Sequence, residues 1–146
     1  PNEIADNAAL ALCEITGALN CLIYRLDGNT LLRKGGHGYD RAAAPERIPM
    51  PEGLAGQVAQ DGRARIIDEV PAGHLPVVTG LGRSAPGQII LAPIKIDGKA
   101  SGVIELGFLP RAENAENVVA LLDQFHRPRA FAPIAEMRDA AVSLFI

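Results

Sequence analysis

Apolar positions follow a helical spacing at the two ends of this chain and a strand-like spacing between them. Residues 3–18 have apolar side chains three or four positions apart, which predicts an amphipathic helix with the inward face Ile4, Ala8, Leu12 and Ile15. Gly17 stands where such a helix commonly ends. Residues 21–26 and 30–34 are short runs of strand-forming side chains around Asp27-Gly28-Asn29, and this arrangement predicts a hairpin.

The middle of the chain alternates loops with short regular elements. Residues 35–51 contain three glycines and three prolines, which predicts a loop with at most one turn of helix. Residues 53–60 are predicted to form a short helix closed by Asp61-Gly62, and residues 65–70 a strand with two acids at its end. The pattern therefore places a helix and a strand between two irregular segments.

The second irregular segment, residues 71–87, is rich in proline and glycine but also contains apolar side chains, namely Leu75, Val77, Val78 and Leu81. A solvated connector has no need of such side chains, and an irregular segment of this length is more typical of a binding loop or lid. A short helix within the segment is the alternative.

The last third of the chain predicts a second hairpin and then helix. Residues 88–96 and 99–108 are two apolar runs separated by Asp97-Gly98, the strongest hairpin sequence in the chain. Residues 113–146 have helical spacing interrupted by Pro128 and Pro133, which predicts two helices joined by residues 126–131, or one kinked helix.

Composition narrows the class of protein. A chain of 146 residues suits one domain, and 48% apolar content with no tryptophan predicts a core of aliphatic side chains. The net charge of −3 and the lack of a lysine and arginine cluster argue against a nucleic-acid partner. No stretch is long and apolar enough to span a membrane, so we expect a cytoplasmic protein. The chain begins at Pro1 without methionine, which suggests either a domain excised from a longer protein or a processed start.

The sequence contains no recognisable catalytic or metal-binding motif, and no cofactor is expected. The three histidines, His37, His74 and His126, fall in different predicted loops without a second ligand at metal-binding spacing. No serine or cysteine stands in the context of an activated nucleophile. Cys13 and Cys21 are interpreted as buried apolar thiols rather than a disulfide. His74 either contacts a ligand or is a solvated loop residue.

Glu105 is the most informative single residue, because it interrupts the apolar strand VIELGF. It is predicted to project with Val103 and Gly107, whereas Ile104, Leu106 and Phe108 project to the other face of the sheet. Either Glu105 lines a cavity, or backbone N–H groups or an arginine satisfy its carboxylate. A partner is expected in both cases, since an unpaired buried carboxylate is costly.

The stretch GLAGQVAQDGRARIIDEV at residues 53–70 resembles the central part of GAF domains. Gly80-Leu81-Gly82, QIILAPIKI at residues 88–96 and GVIEL at residues 102–106 are similar to the GAF subset found in bacterial sensor histidine kinases and related regulators. The resemblance implies an α+β fold with a central antiparallel sheet of five or six strands. The terminal helices would pack on one face, and loops and short helices would form a pocket on the other.

That resemblance also implies where a ligand would bind. The pocket wall would come from residues 71–87 and from one side of residues 88–96, and the candidate ligand-binding residues are Leu75, Val78, Leu81, Gln88 and Glu105. The sequence lacks the motifs of cyclic-nucleotide and bilin binders. It also lacks pocket-loop cysteines of the kind that methionine sulfoxide reductases of this family use.

Three functions are therefore compatible with the sequence. The first is a sensor domain that binds an unidentified small molecule and regulates an output domain, such as a histidine kinase, in a longer chain. The second is a homodimerisation module that acts through the terminal helices, residues 3–18 and 113–146. The third is a small enzyme of the sulfoxide-reductase type, which the absence of a nucleophile and base disfavours.

Overall fold

The computed structural model describes residues 3–71, 73–124 and 126–127. Helix α1, Glu3–Thr16, ends as predicted, because Gly17 adopts φ +82° and its N–H donates to the Cys13 carbonyl. Its buried side chains are Ala9, Leu12 and Cys13, whereas Ile4 and Ile15 are about half exposed. The predicted inward face was therefore wrong in part.

The reason lies in how closely α1 approaches the sheet. A Cβ added at Gly35 would come within 2.7 Å of the Ala5 Cβ and of an Asp6 side-chain oxygen, so this glycine leaves room for the helix. The Oδ1 of Asp6 accepts a hydrogen bond from the Gly36 N–H at 2.9 Å. The face of α1 that contains Ala5 and Ala9 is thus turned toward the sheet, and larger side chains at Ile4 and Ile15 lie outside it.

The main sheet contains two long hairpins. The first pairs β1, Asn20–Asp27, with β2, Thr30–His37. Short strand β3, Arg47–Pro49, pairs with β2 within the segment predicted to be a loop. Three-residue pairings of this kind have no clear periodic pattern, so spacing alone does not reveal them.

Helix α2, Gly53–Asp61, ends at Gly62 in the left-handed conformation, as the Asp61-Gly62 sequence predicts. Strand β4, Arg65–Ile67, is shorter than the predicted strand. The proline- and glycine-rich segment that follows contains a separate small hairpin of β5, Val77–Thr79, and β6, Gly82–Ser84, instead of a helix.

The second long hairpin pairs β7, Gln88–Ile96, with β8, Lys99–Phe108, and its bounds are those predicted. Its turn residues Asp97 and Gly98 both have positive φ, as a tight two-residue hairpin requires. The strands of the main sheet follow the antiparallel order β3-β2-β1-β8-β7-β4. The central pair is therefore β1 and β8.

Helix α3, Ala115–Leu122, begins at Asn114, whose side chain accepts a hydrogen bond from the Asn117 N–H. Strand β9, His126–Arg127, runs parallel to the end of β7. The remainder of the helical segment predicted over residues 113–146 lies outside the described residues from position 128 onward.

The sheet separates two apolar layers. One layer packs α1 and α3 against residues such as Ile104, Leu106 and Phe108. The other packs α2 against Ile89, Leu91 and Val103, among others. This is the α+β architecture expected from the resemblance, with an antiparallel sheet between helices. Within the described ranges, no helix is long and apolar enough to cross a membrane.

Candidate functional site

A cavity of about 440 Å³ opens on the α2 side of the sheet. Its floor is formed by Leu22 and Tyr24 of β1 and by Glu105 of β8. Its walls come from β3, from residues 43–45 and from the first turn of α2, and residues 73–76 lie across it. A cavity of this size is within the range that small-molecule sites occupy.

The carboxylate of Glu105 is the central polar group of this cavity. Glu105 lies in the middle of the sheet, opposite Leu22 on β1 and Leu91 on β7, and it is only 6% exposed. As predicted, it projects away from the layer of Ile104, Leu106 and Phe108 and shares the other layer with Val103. The sheet thus presents a buried carboxylate at the floor of the cavity, beside Leu22 and Tyr24.

The partner of Glu105 is His74, whose Nε2 lies 2.9 Å from the Glu105 Oε2. The His74 side chain is mostly buried, so it is not the solvated loop residue that the sequence allowed, and its contact with a ligand stays a prediction. Its backbone N–H donates to the Pro71 carbonyl at 3.1 Å, which turns the loop back over the sheet. The expected partner of Glu105 therefore exists, but it is neither a backbone group nor an arginine.

Hydrogen bonding to Glu105 raises the pKa of His74 above its usual value, and it outweighs burial, which acts in the opposite direction. The imidazole is thus held near a buried carboxylate that favours its protonated form. When His74 is protonated, its imidazolium and the Glu105 carboxylate form a compact ion pair inside the cavity.

Three further polar side chains border the cavity. Tyr24 is 2% exposed, and burial together with the nearby Glu105 charge raises the pKa of its hydroxyl. Arg47 and Glu52 are exposed and lie at the cavity opening, one on β3 and one just before α2. The polar groups inside the cavity are thus Glu105, His74 and Tyr24, and one cation and one anion stand at its opening.

The structure brings two of the five candidate residues into this cavity, Leu75 and Glu105. Val78 lies in β5, where its N–H donates to the Gly38 carbonyl. Leu81 is fully exposed at the tip of the small hairpin. Contact of any of the five with a ligand stays a prediction.

Gln88, the remaining candidate, connects two loops instead of lining the cavity. Its Nε2 donates to the Asp68 Oδ1 at 2.9 Å, and its Oε1 accepts from the Ala112 N–H at 2.9 Å. The residue is 4% exposed, so both polar ends of its amide are satisfied in a buried position. These contacts give Gln88 a structural role.

No residue of β7 lines the cavity, contrary to the expectation that residues 88–96 form part of its wall. Ile89 and Leu91 do face the α2 side, but they belong to the apolar layer beneath that helix. The cavity is lined instead by residues that the sequence analysis did not identify as candidates, including Tyr24, Arg47, Glu52 and Leu54. Arg47 lies in the segment predicted as a loop, Glu52 lies between that segment and the predicted helix, and no spacing connects either residue to Glu105.

Neither cysteine belongs to the cavity. Cys13 and Cys21 are free, buried thiols in the α1 and α3 layer, as predicted. Burial raises the pKa of Cys13 to about 12 and also raises that of Cys21, so both thiols are held in the unreactive protonated form. In the part of the chain that the structure describes, no group of three histidine, cysteine, aspartate or glutamate side chains is placed to hold a metal ion.

Comparison with solved structures finds this architecture in GAF domains and in free methionine-R-sulfoxide reductases. The free methionine-R-sulfoxide reductase of Neisseria meningitidis is 21% identical with a TM-score of 0.64, over 99% of this chain and 79% of the other. The GAF domain of a phosphoenolpyruvate-protein phosphotransferase from Coxiella burnetii is 19% identical with a TM-score of 0.64, over 92% and 82%. The GAF-B domain of DevS from Mycobacterium smegmatis is 19% identical with a TM-score of 0.61, over 97% and 90%.

At these identities the solved structures establish the fold alone. No curated protein sequence matches the chain. The sequence model of the GAF domain, in contrast, matches residues 1–132, which is most of the chain. The arrangement of the sheet, the cavity on its α2 side and this match agree, and the chain belongs to the GAF domain family.

Proposed function

We propose that this GAF domain is a sensor that binds a small molecule in the cavity over Glu105. The observation that supports this most strongly is the Glu105 carboxylate itself. It is 6% exposed on the central strand of the sheet, and it lies at the floor of a cavity of about 440 Å³. A buried charge is costly to maintain, so a carboxylate retained in such a place suits a role in recognition.

The cavity lining favours a particular class of ligand. Apolar side chains, among them Leu22, Ile48, Leu54 and Leu75, would contact an apolar body. Glu105 and the exposed Glu52 supply two carboxylates to the cavity lining. Arg47 is the one lysine or arginine side chain among the lining residues that the structure describes. A compact amphiphilic molecule with an ammonium or another hydrogen-bond donor therefore fits the site best.

The loop at residues 73–76 would cover the bound molecule. His74 and Leu75 both lie over the cavity, and His74 is tied to Glu105 by one hydrogen bond. A ligand donor that competes for the Glu105 carboxylate would release or reposition His74. Occupancy of the cavity would in this way change the loop, and we propose that this change is passed on to an output domain of a bacterial regulator, such as a histidine kinase.

A reductase function is less well supported by the same residues, and we propose that this domain is not an enzyme. Methionine-R-sulfoxide reductases occur among the structural neighbours. Reduction by a protein thiol requires a reactive thiolate that the substrate can reach. In this chain Cys13 and Cys21 are the only cysteines, both are buried, and both lie in the layer on the far side of the sheet.

Dimerisation is a second candidate, favoured by exposed apolar side chains on α1. Ile4 is 51% exposed, Leu10 39% and Ile15 47%, and Ile4 and Ile15 fall on one side of the helix. A homodimer through α1 would cover them. Light scattering over a dilution series would show a dimer, and Ile4→Ser/Ile15→Ser would be monomeric at the same concentrations if α1 forms the contact.

The sensor proposal is tested by thermal-shift screening of a metabolite library that contains amines, neutral compounds and carboxylates. A ligand present at one hundred times its Kd adds about 2.7 kcal/mol to the free energy of unfolding of the domain. This corresponds to a rise in Tm on the order of 10 °C. We expect the stabilising compounds to be amines, with the shift lost in Glu105→Gln. Glu113→Gln, an exposed carboxylate outside the cavity, is the matched control and should keep the shift.

A library that leaves the Tm unchanged in the unmodified domain would contradict the sensor proposal. If carboxylate compounds raised the Tm of both the unmodified domain and Glu105→Gln, the proposed class of amine ligands would be wrong. The proposal that the cavity is the binding site would still stand.

A further inference from the structure

A second depression, here called the basic cleft, lies where α1, β2 and β3 come together and has a volume of about 330 Å³. It is bordered by Asp6 of α1, by residues 32–35 of β2, by Tyr39 and Arg41, and by Glu46 and Arg47. Apart from Arg47, no residue is shared between the two depressions.

Charge distinguishes the basic cleft from the rest of the chain. Four cationic side chains, those of Arg33, Lys34, Arg41 and Arg47, stand against the two carboxylates of Asp6 and Glu46. The cleft thus has an excess of two positive charges in a chain whose net charge is −3. Cations gathered in a concave surface reinforce one another's field and attract an anion.

The existing contacts do not neutralise this excess. Asp6 accepts the Gly36 N–H and lies 3.7 Å from an Arg41 nitrogen, and Glu46 lies 3.9 Å from an Arg33 nitrogen while its own side chain is 83% exposed. Ion pairs this long and this exposed contribute little. Within the described ranges, neither Lys34 nor Arg47 forms an ion pair with a carboxylate.

Arg33, one of the residues that line the basic cleft, is held in a fixed orientation. Its side chain is only 13% exposed, its Nη1 donates to the Ala44 carbonyl at 2.8 Å, and its guanidinium lies 5.3 Å from the centre of the Tyr39 ring. A guanidinium that is already oriented loses little freedom when it binds an anion. Arg33 is therefore arranged as the base of a binding site, with Lys34 and Arg41 beside it.

We propose that the basic cleft is a second binding site, for a compact group with two negative charges, such as a phosphate or a small dicarboxylate. The excess of two positive charges matches a dianion, and guanidinium and ammonium groups donate short, charge-assisted hydrogen bonds to either kind of oxygen. The basic cleft shares only Arg47 with the cavity over Glu105, so a molecule bound there would act together with the sensed ligand or independently of it.

The test titrates inorganic phosphate, and separately succinate, into the ¹⁵N-labelled domain, with sodium chloride at equal ionic strength as the reference. The amide signals of Gly35, Tyr39 and Arg41 should shift and saturate with a dianion and not with chloride. A response to phosphate alone would identify a phosphate group, and a response to succinate alone a dicarboxylate. Shifts that are small, spread over the surface and equal to those in chloride would overturn the proposal.

Charge variants give a second, independent readout. Lys34→Gln/Arg41→Gln should bind the effective dianion at least about tenfold more weakly, because each side chain removed is a charge-assisted donor. Lys99→Gln/Arg63→Gln removes two exposed cations elsewhere and should bind as the unmodified domain does. Phosphate raises the stability of folded proteins in general. If phosphate raised the Tm of Lys34→Gln/Arg41→Gln as much as that of Lys99→Gln/Arg63→Gln, this result would count against a specific site. If the first variant does not fold, the amide shifts of the unmodified domain decide alone.

Discussion

The Nε2 of His74 lies 2.9 Å from the Oε2 of Glu105, although 31 positions separate the two residues along the chain. One belongs to an irregular loop and the other to the central part of the sheet. This contact attaches the loop to the sheet over the cavity and provides the partner that a buried carboxylate needs. It therefore connects the folding of the domain with the site proposed to bind a ligand.

Replacing His74 should make the stability of the domain less dependent on pH in a defined direction. The folded-state pKa of His74 is raised above its ordinary value of about 6.5, so its protonated form is favoured in the folded state. This stabilisation is fully present below pH 6.5 and is lost as the pH rises through the folded-state pKa. The difference in unfolding free energy between the unmodified domain and His74→Gln should be about 2 kcal/mol near pH 5.5 and should shrink toward pH 9.

Urea unfolding at several pH values measures that difference. His37→Gln is the matched control, because His37 is exposed and lies at the end of β2, outside the cavity lining. Its difference from the unmodified domain should be small at every pH. A His74→Gln difference that stays constant, or grows with pH, would show that the ion pair with Glu105 does not form in solution.

Gln88→Ala should destabilise the domain without changing its affinity for a ligand in the cavity. The substitution removes both amide contacts and leaves the partly buried Ala112 N–H without its acceptor, which costs about 1–3 kcal/mol. Gln124→Ala, at an exposed position, should be nearly neutral. Chemical denaturation measures the loss, and the Kd of any compound found by screening should be the same in the variant. Weaker binding with unchanged stability would instead place Gln88 in the binding site.

Gly56→Ala tests the contact between α2 and the cavity wall. In an ordinary helix alanine is more favourable than glycine by about 1 kcal/mol. At Gly56 a Cβ would lie 2.7 Å from the Pro51 carbonyl carbon, so the helix would have to move away from the segment that precedes it. We expect a loss of about 1–3 kcal/mol. Gln60→Ala on the exposed side of α2 should change the stability little, and a stabilised Gly56→Ala would contradict this packing.

The two thiols should be unreactive in the folded domain. With the pKa of Cys13 at about 12 and that of Cys21 also raised, the thiolate fraction at pH 8 is very small. A thiol reagent such as Ellman's reagent should react slowly with the native protein and rapidly with two thiols in denaturant. The domain should also fail to reduce free methionine sulfoxide in the presence of dithiothreitol. Fast reaction of one thiol in the native protein would contradict this prediction and would support a reductase function.

Most of the fold could be predicted because its helices and long hairpins are determined by residues that are close together in sequence. The bounds of β7 and β8 follow from two apolar runs around Asp97-Gly98, and both turn residues adopt the positive φ that such a hairpin needs. The ends of α1 and α2 follow in the same way from Gly17 and Gly62. The short strands β3, β5 and β6 could not be predicted, since three residues are too few for a period and pairing depends on distant partners.

The candidate site was less predictable, because it is assembled from segments far apart in sequence. Glu105 was recognisable from the apolar strand around it, and Leu75 from the apolar content of its loop. Arg47 and Glu52 have no such context, since they are charged residues in a segment with turn composition. Leu81 shows the opposite error, because an apolar residue in a loop suggests burial, whereas the small hairpin holds it fully in solvent.

Calorimetric titration of the most stabilising amine into the unmodified domain, Glu105→Gln and Glu113→Gln tests the central proposal most directly. We predict a Kd at least about tenfold higher for Glu105→Gln than for the other two proteins, because the buried carboxylate is the group that accepts a hydrogen bond from the ligand. Equal Kd values for all three proteins would contradict it.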